Sequence, residues 1–162
     1  MKYRTRNARH QGRSPDSVTA LVREVARMAD TDRSEQALHL LAAANICTDV
    51  IRNARGVCQL RLNRLTDAVR TLRTLVLPTN CTWMKPELPV VYRTNFVTAL
   101  LLAHQPGGGQ ELIVEMSEQN HPSVVRLRET LEYWEHGLSW WQWFQWKTGL
   151  IPDAPVKLKF PP

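Results

Sequence analysis

Apolar residues along this chain recur three and four positions apart, the spacing that gathers them on one face of a helix. Val18, Leu21, Val22, Val25, Met28 and Ala29 form the first stripe, introduced by Ser14-Pro15-Asp16-Ser17 and closed by Ala29-Asp30-Thr31-Asp32. Ala37, Leu38, Leu40, Leu41 and Ala44 form the second, with Asp32 or Ser34 as the expected cap. A third helix is predicted from about Thr48 to Leu62 and a fourth from Leu65 to Leu77. Three prolines between Pro78 and Pro89 predict a loop. A long apolar helix follows from Val90 to Ala103, then a short one from Gln110 to Glu118. Between them, Gln105-Pro106-Gly107-Gly108-Gly109 reads as a flexible connector. Asn120-His121-Pro122-Ser123 opens the last helix, with Pro122 near the first turn, where a missing N–H costs nothing. That helix is expected to reach Lys147, kinked at Gly137.

Alternation with period two occurs only in Val156-Lys157-Leu158-Lys159-Phe160, and an isolated strand needs a partner. The tail, residues 149–162, is therefore expected to lie extended across a helical surface. The fold class is all-α, about six or seven helices in one domain over residues 15–148, preceded by a basic arm, residues 1–14, expected to be disordered.

The segment from Asn53 to Leu72 carries the sharpest pattern. It reads as one helix, a break at Asn63-Arg64 and a second helix. Gly56 and Ala68 place one small residue in each, where two helices must approach closely. Val57, Leu60, Leu62, Leu65, Val69 and Leu72 supply the seam between them. This pattern resembles the tetratricopeptide repeat (TPR), a helix-turn-helix unit with a small residue in each helix. Upstream, SEQALHLLAAA looks like the second helix of a preceding repeat, with Ala37 in the role of Ala68. Downstream, Tyr92 to Leu100 looks like the first helix of another, paired with a helix beginning at Gln110. The sequence departs from the family pattern at Arg55, Gln59 and Asn63, the last a residue that tolerates a left-handed turn.

The resemblance implies a TPR-like right-handed array of antiparallel helix pairs whose first helices line a groove. Asn53, Val57, Leu60 and Arg61 would face it from the third helix, and Asn95 and Thr98 from the later one. Some members of that family clamp a peptide carboxylate there, and amides and a guanidinium are the right donors for that task. An ordinary solvated groove is the alternative.

Five of the six tryptophans fall between Trp134 and Trp146. On one continuous helix Leu131, Trp134, Leu138 and Trp141 would share a face, leaving Trp140, Trp143, Phe144 and Trp146 around the remainder. A helix apolar on all sides needs a second covering surface. The candidates are the tail, through Val156, Leu158 and Phe160; a protein partner or second copy; a membrane surface; and stacked single-stranded nucleic acid.

Charge adds a rival reading. The net charge is +6, with Lys2, Arg4, Arg6, Arg9 and Arg13 in the arm. Arg52, Arg55, Arg61, Arg64, Arg70 and Arg73 face only Asp67 in their stretch, whereas Glu111 to Glu135 leans acidic. A basic helical domain that binds nucleic acid is the alternative function.

Nothing marks an active site. His39, His104 and His121 stand alone, and Glu132 with His136 reads as a surface ion pair, since zinc wants three or four ligands. The triple glycine lacks the Lys-Ser/Thr that makes a phosphate loop specific. Cys47, Cys58 and Cys81 have no metal or disulfide spacing and are read as reduced thiols, and Asn80-Cys81-Thr82 as a chance glycosylation match. No apolar run reaches the roughly 18 residues of a spanning helix, and no apolar core follows the basic start as in a signal peptide. The expectation is a cytoplasmic, non-catalytic adaptor without cofactor or metal, binding a protein or peptide through Asn53, Val57, Arg61, Asn95, Thr98, Trp140, Trp143 and Trp146, with a homodimer through the tryptophan helix as one arrangement.

Overall fold

The computed structural model of the protein describes residues 15–158. Within them lie eight helices and no strand: α1 (Pro15–Asp30), α2 (Ser34–Ala44), α3 (Asp49–Arg61), α4 (Leu65–Val76), α5 (Val90–Leu102), α6 (Pro106–Glu115), α7 (Pro122–His136) and α8 (Trp140–Lys147). The basic arm and the last four residues of the tail, Phe160 among them, lie outside the described residues.

Each helix from α1 to α6 packs on the next in sequence. In addition α1 touches α3, α3 touches α5 and α5 touches α7, while the even-numbered helices make no comparable contact with one another. The odd helices thus form one layer and the even helices flank it. α5 sits at the centre, with Phe96, Val97, Ala99 and Leu101 almost completely buried. The main core joins α3 to α7 through Leu72, Leu75, Phe96, Leu101 and Leu127. A smaller one joins α1, α2 and α3 through Val25, Leu41, Ile51 and Cys58.

Close approach explains the small residues. A Cβ on Gly56 would stand 2.5 Å from Leu72 Cγ, so only glycine admits the Leu72 side chain of α4 at that point on α3. Ala68 is fully buried at the same crossing. Asn63, between these helices, adopts the left-handed conformation (φ 56°), a conformation Asn tolerates better than most residues.

Three local expectations need correction. The glycine run is not a flexible connector: it forms the first turn of α6, behind Pro106, whose fixed φ suits the first helical position. Gly109 is buried there, and a Cβ on it would meet Leu101 Cδ2 at 2.6 Å. Neither Asp32 nor Ser34 caps α2: Arg33 stands at the N-cap without a side-chain hydrogen bond, and Ser34 Oγ is buried without a partner among the described residues. Finally, the tryptophan segment is not one helix. The α7 helix ends at His136, and Ser139 starts α8 with a reciprocal capping box. Its hydroxyl accepts from Gln142 N–H while the Gln142 side-chain oxygen accepts from Ser139 N–H at 3.0 Å.

Candidate functional site

Three attachments fix α8 against the body of the protein. Trp146 packs edge-to-face on Trp134 of α7, with ring centroids 5.0 Å apart and planes at 88°. Gln142 Nε2 donates to the Asp153 carbonyl at 3.1 Å. The Lys147 ammonium pairs with Glu135, which holds that carboxyl below its ordinary range through a direct hydrogen bond. After α8, Gly149 takes a positive φ of 85°, and Leu150 N–H donates to the Gln145 carbonyl, closing the helix end. The tail then runs inward: Trp134 Nε1 donates to the Ala154 carbonyl at 3.0 Å, and Val156 is buried in the main core.

The described part of the tail therefore covers the inner side of the tryptophan region, and the outer side is exposed. Trp140 is 75% exposed, Trp141 58%, Phe144 45% and Trp143 43%. Trp140 and Phe144 stack at 6.2 Å, and Trp141 and Phe144 at 5.8 Å, so three rings form one continuous surface. Trp143 lies beside it under the Lys147 ammonium, 5.8 Å from the ring centroid. Leu150 and Ile151, also exposed, follow directly along the chain. Between α6 and this turn lies an open groove of about 600 Å³ with Val114, Trp146 and Ile151 among its walls.

The break before α8 changes which aromatics face outward. Trp141 was expected beside Trp134 and is instead among the most exposed rings, whereas Trp146, expected outside, is half-buried against Trp134. Trp141 and Phe144 join Trp140 and Trp143 as surface candidates. The sequence signal that separates these sets is Ser139-Trp140-Trp141-Gln142, a capping-box spacing that announces a new helix start.

The groove residues on the odd helices are placed differently. Asn53 and Asn95 do meet, but they satisfy each other: Asn95 Nδ2 donates to Asn53 Oδ1 at 3.0 Å. Arg61 is engaged with Asp30 at 3.1 Å. Leu60 and Thr98 are buried, Leu60 at the wall of an open groove that Arg61 also lines, and the Thr98 hydroxyl donates to the Thr94 carbonyl at 2.9 Å. Val57 is half-buried on α3. Asn95 and Arg61 thus each direct a donor to a partner within the protein.

The basic stretch is neutralised in a similar way. Arg52 pairs with Asp49, Arg61 with Asp30, Arg64 with Glu35 and Arg70 with Asp67. Four of the six arginines therefore hold acidic partners, two of them reaching back to α1 and α2.

Several titratable groups have structural partners. The Arg93 guanidinium is buried in α5 and pairs with Glu118 in the α6–α7 turn, holding that carboxyl down at about 2. Arg93 Nε has no partner among the described residues. His136 and Glu132 do not form a side-chain ion pair, because His136 Nδ1 lies 2.6 Å from the Glu132 main-chain carbonyl oxygen. Burial pushes the Cys58 thiol up. Among the described residues no group of three or more His, Cys, Asp or Glu is placed to hold a metal ion, and no helix is long and apolar enough to cross a membrane. Compared with known proteins, the chain matches no family model, no curated protein and no solved structure.

Proposed function

We propose that the protein is a non-catalytic, TPR-like binding module that docks a protein partner on the outer face of α8. One observation carries this reading: Trp140, Trp141, Trp143 and Phe144 are exposed on a helix whose opposite side is anchored by hydrogen bonds and a tryptophan pair. Large rings held rigidly at a surface lose little entropy on binding, and Trp is enriched among residues that dominate interface energy. The alternating layers of odd and even helices support the array reading, as does the close approach at Gly56 and Ala68.

Nucleic-acid binding through Arg52 to Arg73 is less well supported, because most of those guanidinium groups already hold carboxylates. The exposed rings are also not interleaved with cations, as stacking platforms for single strands are.

The test is selection from a displayed peptide library with the native protein and with a Trp140→Gln/Trp143→Gln variant in parallel. Peptides retained by the first and lost by the second are the expected result. Equal retention by both contradicts the assignment of the site. Tight oligonucleotide binding that weakens steeply with salt would favour the nucleic-acid reading instead.

A further inference from the structure

We propose that the partner seated on α8 is a second copy of this chain, giving a two-fold dimer joined α8 to α8. The inference rests on the reading of α8 as a docking surface and names its occupant.

Area is the first argument. With about 150–250 Å² for a whole aromatic side chain, the four rings with Leu150 and Ile151 present on the order of 700 Å² of apolar surface. Each partner in a standard protein interface contributes about 800 Å², whereas monomers rarely leave more than a few hundred Å² of contiguous apolar surface open. The face is the right size for one half of a dimer contact.

Symmetry is the second. A head-to-tail contact would need a complementary apolar surface at the other end of the array. There α1 and α2 expose no large apolar side chain among the described residues. Of the two ends of the array, only the α8 end exposes large apolar side chains among the described residues, and an α8-to-α8 contact is isologous and closes at two copies.

Charge is the third. Between Ser139 and Ile151 the sole charged side chain is Lys147, and its ammonium already engages Glu135 and the Trp143 ring. Two copies can therefore meet without burying unpaired or like charges, in keeping with the charge-depleted centre of homodimer interfaces. The same feature disfavours a lipid surface, since helices that lie on membranes carry several Lys or Arg on their polar face.

The experiment is light-scattering mass of the full chain through a dilution series, with flotation against vesicles of phosphatidylcholine and phosphatidylglycerol. The expected mass is twice the 18.6 kDa of one chain, falling to a single chain in a Trp140→Gln/Trp141→Gln/Phe144→Gln variant of unchanged helical circular dichroism. If that variant loses helicity, Trp140→Gln alone carries the test, with dissociation strengthened roughly 30-fold as for a ring at an interface centre. A native monomer at every concentration overturns the dimer. If such a monomer still selects peptides through its rings, the docking reading survives; if it selects none, both fall. A monomer that floats with the vesicles assigns the face to lipid and also overturns the dimer.

Discussion

Trp134 and Trp146 meet edge-to-face across the break between α7 and α8, and this pair sets the rotation of α8. At about 100° per residue, turning Trp146 inward turns Trp140, Trp141 and Phe144 away from the body. Trp146→Ala should therefore cost about 2–4 kcal/mol, combining lost burial with a lost ring pair. Trp140→Ala should cost less than about 0.5 kcal/mol in the monomer, as at a surface position. Urea unfolding of dilute protein followed by circular dichroism measures both. Equal costs would mean that α8 is rotated.

The α3–α4 crossing gives a second expectation. Gly56→Ala drives a methyl into Leu72 and should destabilise by about 1–3 kcal/mol, and Ala68→Leu, fully buried at the same crossing, by a similar amount. Leu72→Ala alone removes a buried side chain at about 2–5 kcal/mol. The Gly56→Ala/Leu72→Ala double variant should be less destabilised than the sum of the singles, because the cavity accepts the new methyl. Strict additivity in denaturant unfolding would show that the two residues do not touch.

Neighbouring glycines in α6 should behave in opposite ways. At Gly108 a Cβ meets nothing closer than Leu100 Cδ1 at 3.9 Å, so Gly108→Ala should stabilise by about 0.5–1 kcal/mol through lower chain entropy. Gly109→Ala collides with Leu101 and should destabilise. Thermal midpoints that rise for both would mean that α6 stands further from α5.

Acid sensitivity follows from Arg93 and Glu118. The carboxyl ionises at about 2 in the folded chain against an ordinary 4.5, so it stabilises the fold above 4.5 and loses that contribution as the pH falls towards 2. Glu118→Gln should thus be less stable than the native protein at neutral pH, with the gap closing across that window. A gap that stays constant down to pH 2 would show that the ion pair does not contribute.

Much of the fold was legible because its determinants are local. The 3.6-residue stripes placed seven helices, and the small pair Gly56 and Ala68 marked the tightest crossing before any tertiary contact was known. What escaped were features where short-range chemistry overrides pattern. Glycine propensity hid the α6 start, since packing on Leu101 rather than flexibility explains Gly109. The helical spacing of Leu131, Trp134, Leu138 and Trp141 carries across Gly137 and hid the helix break, although the Ser139 and Gln142 spacing announced it. Pairings distant in sequence were invisible in principle: Asn53 with Asn95, Arg61 with Asp30 and Arg93 with Glu118 each depend on how helices stack. Asn53, Asn95 and Arg61 thus hold partners within the protein, and the aromatic face of α8 is the more open candidate site.

The central claim is that this outer aromatic face is where two copies of the protein meet. Fluorine NMR of protein carrying 5-fluorotryptophan, followed through dilution and assigned by single substitutions, tests it most directly. Resonances of Trp140, Trp141 and Trp143 should move with concentration while those of Trp83 and Trp134 stay fixed. Spectra in which Trp140 and Trp141 are indifferent to concentration would contradict the dimer.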